Sequence, residues 1–330
     1  MAITTAQSGN GKTGTGDLAS RRSPLAAFAE KIVTGWIYLC GALSIVIVAM
    51  ILLFVLKEAA PLFREYPMGN FFGGTRWDPT NTPEQFGLVP LLLSSLMVTL
   101  GAVAVAIPLG LMTAVYLAEI APPQVRDVVK PAVELLAAIP SVVLGFFGVT
   151  ILAPFLAKTF HLDIGTTMLA GSVTLAFMAI PTIATISDDA LSAVGKDLKQ
   201  GSLALGATRW ETIRRVTIPA AFSGIIASVM LGIGRAIGET MVVLMVTGSG
   251  VGTSLNTIMT EPLKAFRSFF PAYGEICNTI TATIASDMGE AVVGSAHYHA
   301  LFLLGVVLFA ITFLINLVAD AALRKGHLQQ

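Results

Sequence analysis

Charge is scarce in this sequence: 12% of its 330 residues are Asp, Glu, Lys or Arg, where a soluble domain carries roughly 25%. That shortage excludes a water-covered surface over most of the chain. Neither sign of charge prevails, with 20 basic and 20 acidic residues and a formal net charge of +0, so no global field points to nucleic acid or an acidic substrate. Cysteine is nearly absent, and Cys40 and Cys277 cannot build a disulfide framework. Cys40 sits in an apolar run and Cys277 in a loop, and neither is read as catalytic or metal-binding. The HExxH and GxSxG patterns are missing, as is a pair of catalytic acids within an apolar run, and Ser141 has no nearby His. No catalytic residue is therefore expected. His297 and His299 lie two apart with no Cys or carboxylate spacing to complete a site, so they are read as loop residues and no metal is expected.

What the chain has in quantity is apolar length. Residues 1–24 are an exception, rich in Gly, Ser and Thr, and are expected to be a mobile tail. Within them Ala6 to Thr13 (AQSGNGKT) matches a relaxed phosphate-loop pattern, but no strand precedes it and no helix follows. Gly35 to Leu56 is uncharged and, at about 1.5 Å per residue, reaches roughly 33 Å, enough to cross a hydrocarbon core of about 30 Å. It begins too far along, and is too long, for a cleaved signal. Further apolar runs cover about Leu88–Ala118, Ala132–Ala157, Met168–Ile186, Pro219–Val246 and Ala300–Ala319. Six membrane-spanning helices follow, since barrel strands would alternate and be about ten residues long.

The loops between these runs differ in basic content. Arg126, Lys130, Lys196, Lys199, Arg209, Arg214 and Arg215 fall on the side of both termini, while Lys57, Arg64, Arg76, Lys158, Lys264 and Arg267 fall on the other. The bias places both termini in the cytoplasm. Thr247 to His299 is then a long outer segment, in which Thr281 to Ala291 (TATIASDMGEA) has the spacing of a short helix, either solvated or dipping into the outer leaflet.

Charges inside a span are costly and mark function or a buried pair. Arg235 and Glu239, in GIGRAIGET, are four apart, so a regular helix sets them on one face, where they can pair. A guanidinium fork suits an oxyanion, and a competing carboxylate keeps the affinity modest enough for release. A structural ion pair that fixes helix packing is the other reading of the same two residues. Gly232, Gly234 and Gly238 beside them permit close helix approach. Glu134 lies near a span end and is read as snorkelling to the interface.

Gly201 to Phe222 (GSLALGATRWETIRRVTIPAAF) is a long polar interruption between strongly apolar runs. Around Gly206 it forms two amphipathic segments, with Leu203, Leu205, Trp210, Ile213 and Val216 on an apolar face and arginines opposite. A hairpin at the membrane surface has this pattern, as does a plug for a groove in a cytosolic partner.

Gly206 followed by Ile218 and Pro219 resembles the coupling-loop signature of ABC importer permeases. VELLAAIPSVVLGFFG, DDALSAVGKDLKQGSLALGATRWETIRRVTIP, GRAIGETM and TATIASDMGEA are similar to phrases of the phosphate-importer permeases of the PstC type, a resemblance covering about nine tenths of the chain. It implies an all-α, six-helix type I ABC importer permease fold over residues 25–330, with a coupling-helix hairpin at about 187–218. It implies inner-membrane location and work as half of an ATP-driven inorganic phosphate pathway by alternating access. The implied partners are a second homologous permease (PstA type), two cytosolic ATPases (PstB type) that bind ATP and Mg, an extracytoplasmic phosphate-binding protein (PstS type) and membrane lipid, with no nucleic acid and no cofactor in this chain. Arg235 and Glu239 match the family's charges on the phosphate path. Gln200, Gly201, Ser202, Leu205, Gly206, Ala207, Thr208, Trp210 and Glu211 match its ATPase-docking loop, whose usual opening Glu-Ala-Ala is here Gln200, Gly201, Ser202. A secondary anion transporter driven by an ion gradient is the alternative, although such a carrier has no use for a basic hairpin ending in Ile218-Pro219.

Overall fold

A computed structural model describes residues 24–260 and 265–327. Residues 1–23 of the expected tail, with the phosphate-loop-like run, lie outside the described residues. The chain forms two units, residues 1–54 and 55–330. Helix α1 (Pro24–Ala59) supplies the described part of the first. Its Trp36, Tyr38, Ile45 and Leu53 side chains are all exposed, an apolar surface suited to hydrocarbon and not to water.

The second unit contains α2 (Val89–Ile120), α4 (Ser141–Phe160), α5 (Met168–Ser192) and α13 (Ala296–His327), each long and apolar enough to span a bilayer. Together with α1 that makes five such helices among the described residues, or six if the bent pair α7 (Arg209–Ala220) and α8 (Phe222–Gly238) counts as one. Two short strands, β1 (Trp77–Asp78) and β2 (Gln85–Phe86), pair antiparallel before α2.

Three expected boundaries are corrected. The run 132–157 is not one span: α3 (Pro123–Ala137) is a separate amphipathic helix and α4 begins only at Ser141. Pro140, extended at ψ 137°, separates them, because a proline disfavours helix in the residue before it. Helix α5 runs past Ile186 to Ser192. The run from Pro219 is not one regular helix either, for α7 and α8 meet at a 70° bend. Pro219, without an N–H, follows a single π turn at Ile213–Thr217, and the chain breaks at Ala221.

Helices α2, α5 and α8 converge on Ile183. A Cβ added at Gly110 of α2 would sit 2.9 Å from Ile183 Cβ, and one at Gly232 of α8 would sit 2.7 Å from Ile183 Cγ1. Both positions need glycine to let the backbones approach. Gly234 and Gly238 have open space instead, so they do not share that role.

The segment 247–299, expected on the outer side, is more than a loop. After α9 (Met241–Val246) come α10 (Thr253–Thr260), α11 (Ala265–Ala272) and α12 (Ile280–Asp287). The N–H groups of Met168 and Leu169 donate to the carbonyls of Glu275 and Tyr273, which ties residues 273–275 to the start of α5. Cys277 is buried beside this tie, and burial pushes its thiol up to about 12, which keeps it protonated and inert. His297 and His299 are not loop residues but lie in the first turn of α13. His299 Nδ1 is 2.6 Å from the Glu58 carbonyl, and the His297 ring stacks on Phe86.

Candidate functional site

Arg235 sits in the last turn of α8, half-buried. Its Nη1 donates to Thr182 Oγ1 of α5 at 2.9 Å. Thr182 follows Pro181 and precedes Ile183, so the close contact of α5 with α8 sets the distance between donor and acceptor. Among the described residues no ion pair joins Arg235 to a carboxylate, Glu239 included. The expected pairing fails because the helix stops one residue short. Glu239 is extended, at φ −72° and ψ 132°, and so leaves the helical face that the four-residue spacing assumes.

Glu239 instead holds the break together. Its Oε1 accepts from the N–H of Val242 at 3.3 Å, near the start of α9, and its backbone carbonyl accepts from Thr281 Oγ1 at 2.9 Å. Thr281 belongs to α12, whose N-terminus is capped by Thr279 accepting from the Ala282 N–H. The buried end of α12 thus enters the bundle beside Glu239, with Ile280, Thr281, Ala282 and Thr283 all buried. Sequence reasoning missed Thr182 and Thr281. Thr281 lay within a singled-out phrase, whereas Thr182 carries no signal beyond a hydroxyl in an apolar run.

The hairpin consists of α6 (Lys196–Ala204) and the first turns of α7. Gly206 has φ +88°, the left-handed conformation that ends α6. The N–H of Ala207 donates to Ser202 O and that of Gly206 to Leu203 O, which closes the turn. Thr208 then opens α7 with a reciprocal cap: its Oγ1 accepts from the Glu211 N–H at 3.2 Å, and its own N–H donates to Glu211 Oε2 at 2.9 Å. The hydroxyls of Ser202 and Thr212, 3.0 Å apart, join the two arms.

Caps and turn together present two apolar side chains to the outside, Leu205 at 91% and Trp210 at 61% exposure. Ile213 is buried against the bundle. The expected single apolar face is therefore split: Ile213 anchors the hairpin, and Leu205 with Trp210 form its free tip. Gln200 and Gly201 lie on exposed turns of α6, and no side-chain bond from Gln200 is present among the described residues.

An ionic cluster not anticipated from the sequence lies where α5 approaches the hairpin. Asp188 is fully buried, and its carboxylate is met by Arg126 Nη2 at 3.2 Å and Lys130 Nζ at 2.8 Å, both from α3. Lys130 also reaches Asp189 at 2.8 Å, and its hydrogen bonds to the Asp188 and Asp189 carboxylates hold its pKa above the usual lysine value. Lys199 of α6 pairs with Glu119 of α2 at 2.6 Å. Glu134 of α3 is exposed.

The family of binding-protein-dependent transport system inner membrane components matches residues 106–325. A probable ABC transporter permease protein of Bacillus subtilis, YqgH, is 39% identical over 248 residues, 75% of each chain. The phosphate transport system permease protein PstC of Mesorhizobium japonicum is 36% identical over 277 residues, 78% of each chain. That of Haemophilus influenzae is 30% identical, over 78% of this chain and 81% of its own. In fold, a chain of a bacterial alginate ABC transporter superposes with a TM-score of 0.58 at 15% identity, over 90% of this chain and 96% of that one. A chain of the MetNI methionine ABC transporter superposes at 0.54 and 20% identity, over 72% and 95%. These two establish the fold alone. Family membership makes the chain a non-catalytic, multi-pass component of the inner membrane that works with an ATPase and a binding protein. The chain belongs to the family of binding-protein-dependent transport system inner membrane components.

Proposed function

We propose that this chain is one permease subunit of an ATP-driven importer of inorganic phosphate. The observation that carries the reading is Arg235, a half-buried guanidinium bonded to a neutral hydroxyl and left without a carboxylate partner among the described residues. A cation so placed favours an anion, and its remaining N–H donors match two oxygens of a phosphate. The names of the relatives, phosphate transport system permeases, support the same choice.

Phosphate reaches Arg235 from the outer side, delivered by a PstS-type binding protein, through a path completed by a PstA-type second permease. Two PstB-type ATPases, which bind ATP and Mg, dock on the tip formed by Leu205 and Trp210. Both termini lie in the cytoplasm, as the loop bias in Lys and Arg indicates. Glu239, one residue beyond α8 and held by the Val242 N–H, reaches the Arg235 guanidinium only when the break at Gly238 rearranges during transport, and its competition then keeps affinity modest.

The test is purification of the chain from membranes with its partners, followed by an ATPase assay with the loaded binding protein. Co-purification of an ATPase stimulated by phosphate-loaded binding protein is expected. Phosphate uptake by the chain alone, driven by an ion gradient, would replace this reading with a secondary anion carrier.

A further inference from the structure

The elements that flank Asp188 connect the hairpin to the proposed phosphate site. Asp188 lies six residues beyond Thr182 on α5, about 9 Å by helix rise. Two cations one turn apart on α3 meet its carboxylate: Arg126 Nη2 lies 3.2 Å from Oδ1 and 3.4 Å from Oδ2, and Lys130 Nζ 2.8 Å from Oδ2. Arg126 also donates to Ser192 Oγ at 2.8 Å, and Lys130 to Asp189 Oδ1 at 2.8 Å. Four residue pairs, with five hydrogen bonds between them, thus fix α3 to the last two turns of α5.

Helix α3 has no fully buried side chain. Its Val128, Leu135 and Leu136 are exposed, so apolar packing alone does not set its orientation. The ion cluster does. A carboxylate with no exposure cannot give up its cations without being left charged and unsolvated, so the joint behaves as a rigid one. Lys199 of the hairpin donates to the Leu191 carbonyl of α5 at 3.2 Å and to Glu119 at 2.6 Å. The end of α5 is therefore gripped by α3 and by α6 at once.

We infer that Asp188 is a positioning residue for transport: through it α3 and α5 move as one body, to which Lys199 fastens the hairpin, so that displacement of the hairpin resets Thr182 against Arg235. Neither Asp188 nor its cations touch the phosphate. The inference rests on the ATP-driven reading above.

The experiment uses the complete transporter in proteoliposomes, measuring phosphate transported per ATP hydrolysed. Wild type is the control for the reading it rests on, because a wild-type chain that neither stimulates nor needs an ATPase refutes that reading and overturns the inference with it, before any variant is compared. Asp188→Asn is expected to assemble, to keep basal ATPase activity and to lose at least about tenfold in phosphate per ATP, while Asp188→Glu recovers most of it. A phosphate-to-ATP ratio equal to wild type in Asp188→Asn overturns the inference. If Asp188→Asn fails to assemble, Arg126→Gln and Lys130→Gln, which alter partly exposed partners, take its place. Assembly with lowered phosphate per ATP in these variants supports the joint. Wild-type coupling, or loss of assembly in both, reduces Asp188 to a purely structural role and overturns it.

Discussion

The Nη1 of Arg235 donates a 2.9 Å hydrogen bond to Oγ1 of Thr182 and so joins α8 to α5 where the two helices close on Ile183. The threonine accepts from the arginine, and its own O–H remains available as a donor. A site with a fixed cation and a neighbouring hydroxyl suits an anion that must bind and then leave.

Arg235→Ala should leave subunit assembly intact and lower phosphate uptake by roughly thirtyfold or more, the equivalent of about 2 kcal/mol for a lost charge-assisted contact. Thr182→Val, which keeps the shape and removes the hydroxyl, should raise KM about fivefold, from about 1 kcal/mol. Uptake at wild-type rates in Arg235→Ala would remove Arg235 from the mechanism.

Glu239→Gln should preserve the fold, because an amide oxygen can still accept from the Val242 N–H. With the competing carboxylate gone, phosphate should be released more slowly, so kcat and KM should fall together. An unchanged kcat with an unchanged KM would assign Glu239 to capping α9 alone. Glu239→Ala should cost about 1 kcal/mol of stability through loss of that cap.

Gly206→Ala places a Cβ in open space but in a left-handed backbone, so it should cost about 1–2 kcal/mol of local stability without a clash. Gly206→Glu adds a charge beside Leu205 and should separate ATP hydrolysis from transport. ATPase docking and uptake like wild type in Gly206→Glu would argue against the hairpin as the docking element.

Gly232→Val should lower thermal stability in detergent by about 1–3 kcal/mol or more, because its Cβ has no room beside Ile183. Gly234→Ala two residues on meets nothing and should be neutral or mildly stabilising. Equal loss in both variants would mean that α8 does not rely on the close approach at Ile183.

Hydrophobic length made most of the spans legible, since helices that cross a bilayer need a long apolar run and little else. Periodicity could not place the break between α3 and α4, because Ala132–Ala157 is apolar on both sides of Pro140 and only the backbone angles of that proline end one helix and open the next. The charges of Arg235 and Glu239 stood out against their run, yet their spacing misled about pairing. The spacing rule assumes a continuous helix, and the α8 helix stops at Gly238. Asp188 was harder to see: next to Asp189 it looks like part of a solvated loop, and only the approach of α3, some sixty residues earlier, supplies the cations that let it be buried. The hairpin caps carried a signal that the sequence reading left unused: Thr208 and Glu211 have the spacing of a capping box, and Gly206 takes the left-handed turn that ends α6.

The most direct test of the account is ATP-dependent phosphate uptake into proteoliposomes holding the complete transporter, measured for wild type and Arg235→Ala at equal subunit content. Phosphate accumulation by wild type only with ATP and binding protein, and its loss in Arg235→Ala, is the predicted result. Accumulation that needs no ATP, or that is unchanged in Arg235→Ala, would contradict the account.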